Sequence, residues 1–417
     1  MYKKPEIAAP AGNTESFAAA LNAGADAVYA GISGYNMRAG AEPLDMARIR
    51  DMTCEAHDRG VKLYLAMNVL VYDGEFGEAG SILDAASDAG VDAVILWDMG
   101  LLDMARERGL PIHLSTQASV ANSRAVRFYE SRGVKRIVLA RELSLIQIGD
   151  IIRATRGNGS AMEFEVFVHG AMCVAVSGRC LTSQFLSGRS ANRGDCLQPC
   201  RRFYRVVDLK NGSELELEGH TVMSARDLCT IDIADRIVES GVDAFKIEGR
   251  MRDAFYVRTT VECYREAREA VLAEAFDQKL AARLKERLER VFNRGFSTGF
   301  YLTRPDEDIA PDEGNLAAVV RQYAGKVLNY YPKARAADIL LEARGLSLGE
   351  NVLVTGPTTG ALEFAAVSMR SEQNETIGAA EAGDIIGLAT PERVREGDRV
   401  YVLVDRNARE RTGKGTD

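Results

Sequence analysis

Three stretches of nearly the same sequence decide the fold of this chain: Ala23-Gly-Ala-Asp-Ala-Val28, Ala89-Gly-Val-Asp-Ala-Val94 and Ser240-Gly-Val-Asp-Ala-Phe245. In each, a helical pattern ends at the glycine and a short apolar run begins after the aspartate. This is the pattern expected where a helix leads into the next strand of a parallel sheet. The repeats therefore predict alternating helices and strands.

Short apolar segments supply the strands of this alternation. We predict eight strands, at 6–9, 27–30, 62–67, 93–96, 112–115, 136–140, 165–168 and 244–247. Helical patterns lie at 14–21, 43–59, 77–89, 99–108, 122–132, 144–155 and 254–273. The sequence therefore predicts an α/β fold, a TIM-like (β/α)8 barrel. A doubly wound open sheet is the alternative, although no Gly-x-Gly-x-x-Gly follows the first strand as dinucleotide binding would require.

A long cysteine-rich insertion, residues 170–224, separates the seventh and eighth predicted strands. Within it, 203–209 and 214–218 flank Lys210-Asn-Gly and predict a hairpin. The barrel is expected to occupy residues 1–300, followed by a linker over 301–316. Short strands between Gly-rich turns predict a small C-terminal β-barrel domain over 317–405. A charged tail over 406–417 is predicted to be disordered.

Composition restricts the class of protein. The chain has 417 residues, of which 46% are hydrophobic, enough for a sizeable core. Its formal net charge of −8 means that any nucleic-acid contact must come from a local patch. The N-terminus has no apolar segment of a signal peptide, and no apolar run approaches the roughly 18 residues of a membrane span. A cytoplasmic location is expected, where disulfides are disfavoured.

Four of the seven cysteines lie within 28 residues, in the spacing Cys173-x6-Cys180-x15-Cys196-x3-Cys200. Disulfides, zinc and iron–sulfur ligation are the usual reasons for such a cluster, and inert buried thiols are the structural alternative. Structural zinc sites prefer Cys-x2–4-Cys pairs, a spacing that only the last two cysteines have. Iron–sulfur clusters accept thiolates from irregular loops, so the spacing favours such a cluster, with zinc second. Cys229 is a possible substitute ligand.

In a barrel of this class the active site lies where the C-terminal ends of the strands meet. Several polar residues follow directly after predicted strands: Asn13, Asn68, Asp98, Gln117, Arg141, His169 and Glu248. His169 is a candidate for acid–base catalysis or substrate contact, or else a structural histidine. Strand alternation places Lys246 and Glu248 on one face inside the barrel, as part of the site or as a structural ion pair.

Arginines accompany the cysteines: Arg179, Arg189, Arg193, Arg201, Arg202 and Arg205. They either hold the loop in place or bind a carboxylate or phosphate, for which the guanidinium group is suited. Neither Gly-x-Ser-x-Gly nor His-Glu-x-x-His occurs in the sequence, so no hydrolase motif is visible.

Several long motifs in this order resemble the collagenase-like peptidase family U32. They are Pro5-Glu-Ile-Ala-Ala-Pro-Ala-Gly-Asn13, Ala23-Gly-Ala-Asp-Ala-Val-Tyr29, Phe167-Val-His-Gly-Ala-Met-Cys173, Asn192-Arg-Gly-Asp-Cys196-Leu-Gln-Pro-Cys200-Arg201 and Phe245-Lys-Ile-Glu-Gly-Arg-Met251. The resemblance covers essentially the whole chain.

The resemblance implies a function that differs from the family's name. The better understood bacterial members are oxygen-independent hydroxylases that carry a 4Fe–4S cluster on four cysteines. One branch forms 5-hydroxyuridine in tRNA, one hydroxylates a cytidine of ribosomal RNA, and one acts on a ubiquinone precursor. The RNA branches are linked to prephenate as the donor of the hydroxyl group. This chain's length and motifs are most similar to the tRNA branch.

The resemblance implies roles for particular residues. Cys173, Cys180, Cys196 and Cys200 would be the ligands of the 4Fe–4S cluster. His169, Lys246 and Glu248 are the candidate catalytic residues. Arg179, Arg193 and Arg250 are the candidate substrate-binding residues, the first two holding a dicarboxylate donor.

The expected function is therefore iron–sulfur-dependent hydroxylation of tRNA. The expected partners are tRNA and an electron-donor protein. The alternatives are hydroxylation of a ribosomal RNA base, a metal-dependent collagenase-like peptidase, and a non-catalytic partner subunit that carries the cluster.

Overall fold

Eight parallel strands close into a barrel in the computed structural model, which describes residues 2–38, 42, 44–215, 223–305, 308–311 and 314–406. Strands β1 to β8 are Glu6–Ala11, Ala27–Gly31, Lys62–Ala66, Ala93–Leu96, Ile112–Leu114, Val134–Val138, Glu163–Gly170 and Ala244–Ile247. Each strand pairs with the next, and β8 pairs in parallel with both β7 and β1, which closes the ring. The predicted (β/α)8 barrel is confirmed, and the open sheet is excluded.

Helices cover the outside of the barrel. Helices α1 to α6 follow β1 to β6 in turn and span Thr14–Asn22, Met46–Asp58, Phe76–Asp88, Met99–Glu107, Ser123–Glu130 and Leu145–Arg156. The later helices are α7 in the insertion, then α8, α9 and α10, at Thr182–Ser187, Ala234–Glu239, Ala254–Leu272 and Gln278–Glu289. Among the described helices, even the 19-residue α9 lacks the apolar character needed to span a bilayer.

Polar residues directly after the strands start several of these helices. Asn13 Oδ1 accepts a hydrogen bond from the Ser16 N–H at 2.7 Å, and Asp98 Oδ1 accepts one from the Gly100 N–H at 2.9 Å. These N-caps satisfy backbone donors that the first turn of a helix leaves unpaired. The barrel mouth is thereby bordered by helix starts.

The insertion between β7 and β8 is built from short pieces. It contains α7 and 3-10 turns at Val176–Gly178, Ala191–Arg193 and Pro199–Arg201. Val206–Val207 pairs antiparallel with Glu214–Leu215, as the predicted hairpin requires, while 216–218 lie outside the described residues. After the insertion, Asp227–Cys229 pairs antiparallel with the end of β7.

The C-terminal part is an antiparallel sheet. Its strands β9 to β16 are Val319–Tyr331, Ala336–Leu341, Asn351–Gly356, Gly360–Ala365, Met369–Ser371, Thr376–Ile377, Ile385–Ala389 and Arg399–Asp405. They are hydrogen-bonded in the order β12-β11-β16-β9-β10-β15-β13-β14. All eight strands contribute to one apolar cluster, which requires the sheet to curl around its own core. Among the described residues, no recorded pairing joins its two end strands, so the predicted small C-terminal β domain is present as a curled antiparallel sheet.

This sheet packs directly on the barrel helices. Gly360 has φ +67°, and a Cβ atom added there would lie 2.5 Å from the Ala19 nitrogen of α1. Arg399 Nη2 binds Glu15 Oε1 at 2.6 Å across the same contact. The proposed division into domains at residues 300 and 317 stays a prediction, and the predicted tail falls almost wholly on 407–417, outside the described residues.

Candidate functional site

A polar pocket lies at the mouth of the barrel, where the C-terminal ends of the strands meet. Its volume is about 60 Å³. The lining includes Tyr29, Arg38, Asn68, Gln117, Arg141, Phe167, Cys173, Lys246, Glu248 and Arg250. The pocket thus combines residues from β2, β7, β8 and the loops that follow the strands, as expected for the active site of such a barrel.

Glu248 is the central carboxylate of this pocket. Its Oε1 accepts hydrogen bonds from Arg38 Nε at 3.1 Å and from Arg38 Nη2 at 2.9 Å, and Arg141 Nη2 lies 4.0 Å from its Oε2. Burial raises the pKa of Glu248, but the charges of Arg38, Arg250 and Arg141 outweigh this effect and lower the pKa to about 2. The carboxylate is therefore ionised at neutral pH.

Positive charge exceeds negative charge in this pocket, because Arg38, Arg141, Lys246 and Arg250 line it with Glu248 as the only carboxylate among the described lining residues. Arg250 Nη1 donates to Asn36 Oδ1 at 3.3 Å. Among the described atoms, the buried Nε atoms of Arg250 and Arg141 have no hydrogen-bond partner. Unpartnered guanidinium donors in a cationic pocket suit a carboxylate or a phosphate.

Lys246 connects the pocket to a chain of charges inside the barrel. Its Nζ binds Glu165, which is fully buried, and lies 4.5 Å from the centroid of the Tyr29 ring. Arg136 Nη1 lies 3.2 Å from Glu165 Oε2 and 2.6 Å from Glu6 Oε1. Burial lowers the pKa of Lys246, and the charge of Glu165 opposes that effect. The paired carboxylate thus fixes the position of the ammonium group beside the pocket.

The four clustered cysteines lie above this pocket in the insertion. Cys173 lines both the pocket and a second cavity of about 380 Å³ that borders the insertion. Burial raises the pKa of the Cys196 thiol, and the charges of Cys173 and Cys180 raise it further. Burial and the charges of the other three cysteines likewise raise the pKa of Cys200.

The donor set of this region is chemically suited to a metal cofactor. Four thiols are the ligand set of iron–sulfur clusters and of one class of zinc site. Within the described ranges, no three His, Cys, Asp or Glu side chains are arranged to hold a single metal ion. Cys229 is buried apart from this set, and the Tyr264 hydroxyl lies 3.9 Å from its Sγ.

His169 lies outside the pocket lining. It is 1% exposed, and the rings of Tyr256, Tyr264 and Phe296 surround it at centroid distances of 5.5 to 5.8 Å. The register of β7 against β8 skips one residue between Phe167 and His169, so the strand alternation that places Phe167 in the pocket does not extend to His169. Burial and the charge of Arg252 lower the pKa of His169 to about 3. The His169 ring is therefore neutral and packs among aromatic side chains.

Arg179 and Arg193 also lie outside the pocket lining. Arg193 Nη1 donates to Glu75 Oε2 at 2.8 Å, and Arg179 Nη2 donates to Ser119 Oγ at 2.9 Å. These contacts hold the insertion against loops at the barrel mouth. Of the three predicted substrate-binding arginines, the structure brings only Arg250 into the pocket.

The sequence placed the polar residues that follow the strands at the barrel mouth, where the pocket lies. It did not show which of them line the pocket and which cap helices. Asn68, Gln117, Arg141 and Glu248 line the pocket, whereas Asn13 and Asp98 cap helices. Arg38 was missed because it lies seven residues beyond β2, in a loop without a recognisable pattern. The one sequence feature that could have identified Arg38 is its place in a polar loop that follows the C-terminal end of a strand.

Comparison with known proteins gives the relatives of this chain. An uncharacterized protease of Methanocaldococcus jannaschii is 40% identical over 95% of this chain and 98% of its own length. A protein named collagenase from Porphyromonas gingivalis is 39% identical over 95% of this chain and 97% of its own length. The tRNA hydroxylation protein P1 of Bacillus subtilis is 34% identical over 79% of this chain and 78% of its own length.

These names attach both proteolysis and RNA hydroxylation to one group of related sequences. The family model described as peptidase family U32 matches residues 12–310, which include the barrel strands β2 to β8, the insertion and the pocket. Together, the family model and the relatives show that this chain belongs to peptidase family U32.

Proposed function

We propose that this protein is an RNA hydroxylase that forms 5-hydroxyuridine in tRNA, with the barrel-mouth pocket as its active site. The main support for this proposal is the lining of the pocket. It contains one ionised carboxylate, four cationic side chains and one of the clustered cysteines. The relative named for tRNA hydroxylation supports the choice of substrate. A ribosomal RNA base is the alternative substrate of the same chemistry.

We propose that Cys173, Cys180, Cys196 and Cys200 hold a 4Fe–4S cluster. Their sulfur-only donor set fits such a cluster, and Cys173 lines the same pocket as Arg38. When bound, the cluster supplies electron transfer, with electrons from a partner protein. A chain with this chemistry would work in the reducing cytoplasm, where thiols stay available as ligands.

The chain's own residues bind and orient the reactants in this proposal. Arg38 holds Glu248 as an ionised carboxylate, which can accept a hydrogen bond from the base. Arg141 and Arg250 direct buried guanidinium groups at the pocket and would bind the carboxylates of a donor such as prephenate. The donor site thus uses arginines different from the predicted Arg179 and Arg193.

The first experiment is iron and acid-labile sulfide analysis after anaerobic purification. We expect about four irons per chain, lost in Cys173→Ala and Cys196→Ala and kept in Cys54→Ala, which removes an exposed thiol of α2 outside the insertion. Zinc in place of iron, or no metal after anaerobic reconstitution, would contradict the cluster.

The second experiment is mass spectrometry of tRNA nucleosides from a strain that lacks this gene. Nucleosides derived from 5-hydroxyuridine should disappear and return with the wild-type gene but not with Glu248→Gln. An unchanged pool in a strain without a paralogue would refute the tRNA substrate. A change confined to ribosomal RNA would select the alternative base.

A peptidase is the second candidate function, because two relatives are named as a protease and a collagenase. That function predicts gelatin cleavage that persists in Cys196→Ala and in the metal-free protein. Absence of cleavage by the pure wild-type protein would reject it. A third possibility, a non-catalytic subunit, predicts that the purified chain acts only after a second chain is added.

A further inference from the structure

The insertion exposes more apolar surface than any other part of the described chain. Nine of the twenty exposed large hydrophobic residues lie between residues 174 and 209. The most exposed ring is that of Phe185, at 84%, and the adjacent Leu186 is 65% exposed. Both belong to α7, and Leu181, directly before this helix, is 55% exposed. We refer to Leu181, Phe185 and Leu186 as the α7 face.

The α7 face has a fixed position relative to the cysteines. The helix begins two residues after Cys180, whose Sγ accepts a hydrogen bond from the Thr182 N–H at 3.4 Å. On its inner side, the buried Ser183 Oγ accepts a hydrogen bond from the Leu197 N–H at 3.1 Å, directly after Cys196. Two of the four cysteine segments thus anchor α7 while its outer face stays in solvent.

The insertion also differs in charge from the rest of the protein. Residues 170–224 contain seven Arg or Lys residues and five Asp or Glu residues, so they carry a formal charge of +2 in a chain of −8. Arg189, in the loop just after α7, has a side chain that is 57% exposed and forms a surface ion pair with Asp195 at 3.7 Å, and Arg202 is also exposed. A basic surface with exposed aromatic and aliphatic side chains is the combination that binds unpaired nucleotides.

We propose that the α7 face is a stacking platform for an unpaired base of the RNA substrate, next to the barrel mouth. The proposal rests on the RNA-modifying function and specifies how the RNA is held. The Phe185 ring supplies the flat apolar surface for one base, and Arg189 and Arg202 neutralise the adjacent phosphates. The positive charge favours the phosphates of RNA as the occupant and disfavours packing of this face against the same face of a second copy.

The test is binding of a dye-labelled RNA hairpin with an unpaired uridine-containing loop, measured by fluorescence anisotropy on the full-length protein. Phe185→Ala should weaken binding by about tenfold, because one base–ring stack is lost. Phe185→Trp should keep the affinity and show fluorescence quenching on addition of RNA. The signal can be read by difference against the wild type because Trp97 is the chain's only tryptophan.

The matched control is Phe128→Ala, which removes a 45% exposed ring near the C-terminal end of α5, at the opposite end of the barrel. Its affinity for the hairpin should equal that of the wild type. Equal affinities of Phe185→Ala and wild type would overturn the platform while leaving the hydroxylase in place. A wild type that binds no RNA at any salt concentration would refute both. A concentration-dependent dimer abolished by Phe185→Ala, with unchanged RNA binding, would reassign the face to a second copy.

Discussion

Glu248 is the residue on which the charge balance of the pocket depends. Among the described residues that line the pocket, it is the one carboxylate beside four cations, and three arginines lower its pKa. The Lys-Ile-Glu-Gly-Arg sequence sufficed to predict that Lys246, Glu248 and Arg250 lie at the mouth. It did not predict Arg38, because a loop residue is placed by tertiary contacts and not by a period in the sequence.

We expect Glu248→Gln to lower hydroxylation at least about 100-fold, because the neutral amide cannot balance the charges of the lining cations that orient the reactants. The measurement is turnover by the purified, reconstituted enzyme, with circular dichroism as the check on folding. Glu107→Gln, an exposed position at the end of α4, is the control and should keep wild-type turnover. Full activity of a folded Glu248→Gln protein would remove the carboxylate from the mechanism.

Glu6 predicts how stability depends on pH. Burial raises its pKa, but hydrogen bonds and charge from Arg136, with contacts from Lys62 and Tyr64, lower it from 4.5 to about 2. The ionised carboxylate therefore stabilises the folded state fully above about pH 4.5, and this contribution is lost as pH falls towards 2.

We expect Glu6→Gln to lower the free energy of unfolding by about 1–3 kcal/mol at neutral pH. The difference from wild type should shrink as pH falls from 4.5 to 2, as measured by urea unfolding at several pH values. A difference that is constant over this range would show that the charge of Glu6 does not contribute.

At the scale of elements, the short apolar segments predicted the ends of the eight barrel strands to within about two residues. The period of apolar residues is local information, so it transfers directly to strands and helices. The insertion was harder, because α7 is only six residues long and is anchored by side-chain contacts with the cysteine segments. The sequence showed where the cysteines cluster, but it contained no pattern for the exposed face beside them.

Gly12 shows how closely two elements approach at the mouth. A Cβ atom at this position, between β1 and α1, would lie 1.5 Å from the Arg250 carbonyl oxygen. We expect Gly12→Ala to destabilise the fold by about 1–3 kcal/mol or more and to displace the Arg250 segment, as measured by thermal unfolding. Gly149→Ala, inside α6 with no atom within 4 Å of the added carbon, should be neutral or stabilising. Equal effects of the two changes would show that the approach is not tight.

At the scale of the whole molecule, the C-terminal sheet and the barrel are joined through α1. Gly360 and Gly349 both have positive φ angles, of 67° and 89°, but only Gly360 faces a neighbouring element. We therefore expect Gly360→Ala to lower stability by about 1–3 kcal/mol more than Gly349→Ala. Urea unfolding measures the difference in the free energy of unfolding between the two variants. Both variants carry the strain of a positive φ angle, so the difference reports the contact between sheet and barrel.

The sparse packing of the insertion has a consequence for the biosynthesis of the enzyme. Among the described side chains from 173 to 215, Ala191 and Pro199 are the only buried apolar ones, whereas the barrel has a large apolar cluster of its own. The barrel can therefore fold on its own core, whereas the insertion has little packing to fix its shape. Delivery of the proposed cluster would then be a late step that orders the insertion on a barrel that is already folded. Loss of the cluster to oxygen would leave this folded barrel ready to accept a new cluster without new protein synthesis.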